Sequence, residues 1–205
     1  MDKKAVFDFD KTLIKVNTFP IWIVFVLMYS IVKFDFKVEI LELLWKRKLT
    51  KSISHNQFKE ALLNVKLDQS YHYIFAKFIS NFKNEKCRKE LIILQKQNYK
   101  IAISSAAPAH YLKATINYLF PNHQFIIIGA NSKENKFSGN YKEEKLHNLI
   151  QFGFINFNEK IDYLFTDSYD DIALARQTNK LVLVSPDKGS IKLYKSNYNN
   201  DIVII

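Results

Sequence analysis

One cysteine, Cys87, occurs in 205 residues, which excludes an internal disulfide framework and a cysteine-rich zinc site. A reducing, cytoplasmic setting is the corresponding expectation. Glycine and proline number four each, so collagen-like, linker-repeat and low-complexity architectures are excluded. Arginine is scarce: Arg47, Arg88 and Arg176 are the only three among thirty cations. The planar, bidentate guanidinium that reads nucleic acid is therefore nearly missing, and no basic run or nucleic-acid module compensates for it. A nucleic-acid partner is not expected. A leader peptide is not expected either, because Met1 to Lys4 leads straight into a short strand pattern.

An apolar run long enough for a membrane span is also missing. The seventeen uncharged residues between Lys15 and Lys33 are interrupted by Asn17, Thr18, Pro20 and Ser30, and a span needs about 20 apolar residues. Residues 19–32 are instead read as a helix packed within the protein or, as an alternative, lying on a membrane surface through Trp22 and Phe25.

What the chain does have is material for a core. Hydrophobic residues make up 48%, aromatic residues 15% and charged residues 24%. The net charge of +10 favours anionic partners such as phosphorylated metabolites or an acidic membrane. Short apolar runs recur at Ala5–Phe7, Tyr99–Ser104, Phe125–Gly129, Ile161–Thr166, Leu181–Ser185 and Ile202–Ile205. Their apolarity is continuous rather than alternating, which predicts strands of a parallel sheet covered on both faces. Helical patterns alternate with them over Glu85–Gln97, Ala109–Phe120, Glu143–Phe152 and Asp170–Thr178. The alternation predicts a Rossmann-like α/β core.

The first interval breaks this rhythm. Residues 18 to 80 read as helices, with later ones at Lys37–Lys48, Asn56–Val65 (Asn56 as N-cap) and Ser70–Phe82. The predicted organisation is an α/β core from residues 1–16 and 84–205, with a small all-helical cap, 17–83, inserted after the first strand.

The chemistry-bearing residues stand at strand ends. Phe7-Asp8-Phe9-Asp10-Lys11-Thr12 closes the first strand, and side chains two apart in an extended chain share a side. Asp8 and Asp10 can thus approach one space, outside the carboxyl end of a strand, where open α/β sheets bind ligands. A similar run, Phe34-Asp35-Phe36, lacks the strand, the second Asp and the Thr, and is read as a helix start. The second strand ends in Ser104-Ser105, with small residues and Pro108 before a helix, offering a hydroxyl and free N–H groups to an anion. Tyr141-Lys142-Glu143-Glu144-Lys145 opens another helix with a lysine. Thr166-Asp167-Ser168-Tyr169-Asp170-Asp171 ends a strand in an acidic cluster.

In this order, these motifs resemble the haloacid dehalogenase-like superfamily of phosphohydrolases, in the phosphoserine phosphatase-like branch with a helical cap after motif one. The resemblance implies a phosphatase in which Asp8 is the nucleophile and Asp10 the acid and base. A phosphotransferase of the same fold and a membrane-surface lipid-phosphate phosphatase are alternatives. It implies Mg²⁺ held by Asp8, Asp167 and the main-chain carbonyl of Asp10, which suits a hard cation. Thr12 and Ser105 would bind the phosphoryl oxygens, Lys145 would offset charge, and Asp171 would orient Lys145 or hold a metal-bound water. Ser104 competes with Ser105, and Lys142 with Lys145; Pro108 and the Leu146/Leu149 spacing favour the second of each pair. The family's phosphoserine enzymes carry a Glu soon after motif one and an Arg in the cap. Here Asn17-Thr18 and the arginine-free stretch 58–65 stand there, so a small phosphate ester other than phosphoserine is expected.

Overall fold

The computed structural model describes residues 2–133, 136–198 and 201–205. Strand β1 (Lys4–Phe7) is followed by four helices, α1 (Thr18–Val32), α2 (Val38–Lys48), α3 (His55–Leu63) and α4 (Gln69–Ile79). The chain continues through α5 (Glu85–Lys96), β2 (Lys100–Pro108), α6 (Ala109–Leu119), β3 (Ile126–Lys133), β4 (Lys136–Ser138) and α7 (Glu143–Gln151). It ends with β5 (Ile161–Thr166), α8 (Ile172–Ala175), β6 (Thr178–Leu183), α9 (Lys188–Asn197) and β7 (Asp201–Ile204).

The described strands form one seven-stranded sheet in the order β4-β3-β2-β1-β5-β6-β7. Every pairing is parallel except β3 with β4. The strand order therefore reverses direction at β1, which makes its carboxyl end the switch point of the sheet. Alternation along the strands divides the core. Ala5, Phe7, Ile101 and Ile103 face one cluster, which also takes in α1, α4 and α6, whereas Val6, Ala102, Leu164 and Leu181 face a second cluster beneath α7, α8 and α9. Phe7 stacks on Phe165 at 4.2 Å in the first cluster. The helical insert is continuous with this core, since Phe75 of α4 meets Tyr111 of α6 edge-on at 5.0 Å.

The structure corrects several sequence expectations. Helix α3 is capped by Ser54 rather than Asn56: Ser54 accepts from the Gln57 amide, and Gln57 answers to the Ser54 amide. The reciprocal pair satisfies two end groups at once, which Asn56, two residues inside the first turn, could not do. Phe34-Asp35-Phe36 lies in the linker before α2 rather than at a helix start, because Phe34 takes a left-handed φ of 53° that ends α1. The helix expected over 170–178 is a 3₁₀ turn at Tyr169–Asp171 followed by the four residues of α8. Pairing of Ile161 with Thr178 starts β6 three residues before the expected Leu181. Strand β4 and helix α9 were not foreseen. Trp22 is buried, and Phe25 is half-buried against Phe75 at 5.3 Å.

Candidate active site

Strand register builds the site. Phe7 is level with Ile103 on β2 and with Phe165 on β5. The residues that follow each of them, Asp8, Ser104–Ser105 and Thr166–Asp167, therefore emerge together at one edge. The Asp8 amide donates to the Phe165 carbonyl at 2.9 Å and extends this alignment by one residue. On β2 the register with β3 slips between Ser104 and Pro108, so residues 105–107 bulge away from the ladder. Gly129 permits the bulge, because a Cβ there would lie 2.7 Å from the Ala107 carbonyl oxygen.

These ends enclose a pocket of about 190 Å³. Asp8, Asp10, Asp167, Asp170 and Asp171 line it, against the ammonium groups of Lys11 and Lys145. Five carboxyls against two cations leave a strong local excess of acceptors.

Lys145, on the first turn of α7, is buried and bridges two carboxylates, lying 2.8 Å from Asp8 Oδ1 and 2.8 Å from Asp171 Oδ1. Thr166 donates to Asp171 Oδ2 at 2.7 Å and fixes the far carboxylate. Burial alone would lower the Lys145 pKa, but the charges of Asp171 and Asp8 overcome it and hold the ammonium protonated. Lys142, by contrast, is exposed, with its ammonium over the Tyr141 ring. Burial pushes the Asp8 carboxyl up, opposed by Lys145 and reinforced by Asp171. Asp167 is likewise raised by burial, to about 6, with the Lys11 ammonium 3.9 Å away.

Asp10 is held differently. Its Oδ1 accepts from the Thr18 amide at 3.0 Å and from the Thr18 hydroxyl at 2.7 Å, at the first residue of α1. The Tyr111 hydroxyl is 2.9 Å from that of Thr18. With the Thr18 proton directed at Asp10, Tyr111 becomes the donor to Thr18. The relay leaves Asp10 Oδ2 for other partners. Burial raises the Asp10 pKa against these bonds.

Ser105 lines the pocket, whereas the Ser104 hydroxyl accepts from Asn140 Nδ2 at 3.1 Å beneath it. Thr12 is not brought to the pocket wall. Lys11 turns the chain with a φ of 55°, the Thr12 amide donates back to the Phe9 carbonyl, and the Thr12 hydroxyl is buried with no partner among the described residues.

Sequence reasoning missed two residues. Asn140, fully buried with a φ of 46°, directs its amide at the carbonyls of Ser105 and Ile128, at 2.9 and 3.0 Å, and ties the bulge to β3. The Asn148 amide holds its Oδ1 at 2.9 Å. The only signal was an Asn after Gly139, which reads as an ordinary turn. Lys59 of α3 reaches from the insert to the Ala106 carbonyl beside Ser105. Burial lowers its pKa to about 8, with Asp10 and Glu144 opposing.

No three His, Cys, Asp or Glu side chains among the described residues are grouped as a metal cluster. The implied Mg²⁺ set asks for two carboxylates and one main-chain carbonyl. The donors are hard oxygens, and the pocket's carboxyls outnumber its cations, so the residues fit such an ion.

No family model and no curated protein matches the sequence. Solved structures are similar to it. A Bordetella pertussis Tohama I protein of unknown function aligns with 99% of this chain and 98% of its own (TM-score 0.72, 16% identity). A phosphoserine phosphohydrolase-like protein from Francisella tularensis subsp. tularensis SCHU S4 aligns with 98% and 94% (TM-score 0.59, 18% identity). A phospho-aspartyl intermediate analogue of phosphoserine phosphatase aligns with 100% and 94% (TM-score 0.56, 18% identity). The chain has the haloacid dehalogenase-like fold. Within that class its form is phosphoserine phosphatase-like, with the helical insert following the first strand.

Proposed function

We propose that the protein is a Mg²⁺-dependent phosphatase that hydrolyses a phosphate monoester through an aspartyl-phosphate on Asp8. The observation that carries this reading is the meeting of Asp8, Asp10, Ser105, Lys145, Asp167 and Asp171 around one small pocket at the switch point. Three neighbours in fold are phosphoserine phosphatases or their likenesses, and one of these structures is of a phospho-aspartyl intermediate analogue.

In the first step the Asp8 carboxylate attacks phosphorus and the ester P–O bond breaks. The leaving oxygen takes the proton of Asp10, whose raised pKa suits a group that must begin protonated. In the second step Asp10, now ionised, removes a proton from water as the water oxygen attacks phosphorus. The bond to Asp8 breaks and inorganic phosphate leaves. The Thr18–Tyr111 relay holds Asp10 through both transfers. Lys145 compensates charge on the nucleophile, and the Ser105 hydroxyl stands at the phosphoryl end. Asp8, Asp167 and the Asp10 carbonyl would hold Mg²⁺, which when bound supplies the positive charge that lets two anions meet.

Phosphoserine is not the proposed substrate. Asn17 lines the pocket where an acid would meet an amino group, and Thr18 is committed to Asp10. The test is hydrolysis of p-nitrophenyl phosphate and a panel of sugar, nucleotide, amino-acid and lipid phosphates, with Mg²⁺ and with EDTA. Activity is expected with the metal only, falling to background in Asp8→Asn and by about 10²–10⁴-fold in Asp10→Asn. Turnover that survives in Asp8→Asn overturns the nucleophile, and silence across the whole panel overturns the activity.

A further inference from the structure

Among the described residues, ten of the twenty-one exposed large hydrophobic side chains lie between residues 24 and 49. They follow one another in three pieces. On α1, Val24, Met28, Ile31 and Val32 fall at helical spacing on one side of the helix. In the linker, Phe34 is 85% exposed, and Phe36 stands out beside it. On α2 and its C-cap, Val38, Leu41, Trp45 and Leu49 continue at i, i+3, i+7 and i+11 along a single stripe, with Trp45 59% exposed. A folded chain seldom leaves so many large apolar side chains uncovered along one stretch of sequence.

The charges around these stripes indicate what covers them. Residues 33–51 carry six cations against three anions. Lys33, Lys37 and Lys46 have carboxylate partners. Lys48, one turn from Trp45, and Lys51, two residues past Leu49, are exposed and form no ion pair among the described residues, as is also true of Glu39, whereas Arg47 is half-buried and donates to the Ile53 carbonyl at 3.4 Å. Tryptophan, phenylalanine and leucine next to unpaired cations are the composition of a helix that lies in a lipid headgroup layer. A second copy of a chain of net charge +10 would bring like charges to the same face. No helix among the described residues is long and apolar enough to cross a membrane, so the contact is one of surface.

We propose that the exposed side chains of residues 24–49 make one face that docks on an anionic phospholipid surface, the aromatic and aliphatic groups entering the headgroup layer and Lys48 and Lys51 engaging lipid phosphates. This face shares Val24–Val32 with the 19–32 stretch read from sequence but does not use Trp22, which is buried, or Phe25, which is half-buried against Phe75. The proposal rests on the exposed surface alone, and it stands or falls separately from the phosphatase chemistry.

The full chain is sedimented with vesicles of equimolar phosphatidylcholine and phosphatidylglycerol, and with vesicles of phosphatidylcholine alone. Binding is expected to the anionic vesicles only and to weaken with salt. Trp45 emission should shift to the blue on binding, and Trp45→Phe should remove that shift, because the other tryptophan, Trp22, is already buried. Phe34→Ser/Phe36→Ser and, independently, Lys48→Glu/Lys51→Glu should each weaken binding about ten-fold or more with the far-UV spectrum unchanged. Absence of binding, equal binding to neutral vesicles, or indifference to the charge reversal overturns the proposal. So does a concentration-dependent dimer in the ultracentrifuge that Phe34→Ser/Phe36→Ser abolishes, which would give the face to a second copy.

Discussion

Asn140 shows how much of the pocket depends on a residue that does not line it. Its two amide protons serve three acceptors, the carbonyls of Ser105 and Ile128 and the Ser104 hydroxyl, and its own oxygen takes the Asn148 amide. Asn140→Ala strands these groups in the interior and places alanine at a φ of 46°. Such buried loss costs about 1–3 kcal/mol, with strain in addition. Urea unfolding should register a destabilisation of about 2–3 kcal/mol. If Asn140 also positions Ser105, KM should rise more than kcat falls; a variant as stable as wild type would remove Asn140 from this role. The residue was illegible in the sequence because its importance lies in a left-handed backbone and in burial, and neither has a signature in Gly139-Asn140-Tyr141. The placement of Asp8, Asp10, Ser105 and Asp167 was legible because strand ends in a parallel sheet point to one edge, and that of Lys145 and Asp171 because the turns opening α7 and α8 start at the same edge. The burial of Thr12 was not legible, because its position in the motif says nothing of the turn at Lys11 that carries it inward.

Among the elements, strands were easier to read than helix ends. A strand buried on both faces declares itself through continuous apolarity, as Ile161–Thr166 does, and its observed bounds are those expected. Helix α9 was hidden by its charge: Lys188, Lys192 and Lys195 dilute a face that buries Tyr194. Strand β4 has three residues and is a strand only through its pairing with β3. Helix α3 has the clearest local device, the Ser54–Gln57 capping box, and it carries Lys59 to the bulge that holds Ser105. Ser54→Ala should cost about 0.5–2 kcal/mol. The loss should appear as faster hydrogen exchange at the first-turn amides of α3, with those of α6 unchanged. Uniform acceleration across the chain would mean that α3 has no local stability of its own and unfolds only with the core.

At the scale of the whole molecule, the insert and the sheet core meet where α4 packs along α6, and a histidine pair marks the junction. His72 of α4 and His110 of α6 stack at 5.4 Å with ring planes 16° apart. Burial lowers the His72 pKa from its ordinary 6.5 to about 4, with His110 adding to the fall and Asp68 opposing it. Burial lowers His110 as well, helped by Lys113. A histidine held neutral by the fold is protonated first in the unfolded chain, so its stabilising contribution is complete above 6.5 and is lost as pH falls toward about 4. Asp8 and Asp167, held above their ordinary range, act with the opposite sign within the same interval. The wild-type pH profile therefore mixes opposing slopes, and the informative quantity is the difference between wild type and His72→Phe, which keeps an aromatic ring against His110. That difference in Tm should narrow or reverse in favour of the variant as pH drops through the window, because only the unfolded wild-type chain gains a proton at position 72 there. Parallel Tm profiles for the two proteins would show that the junction does not titrate.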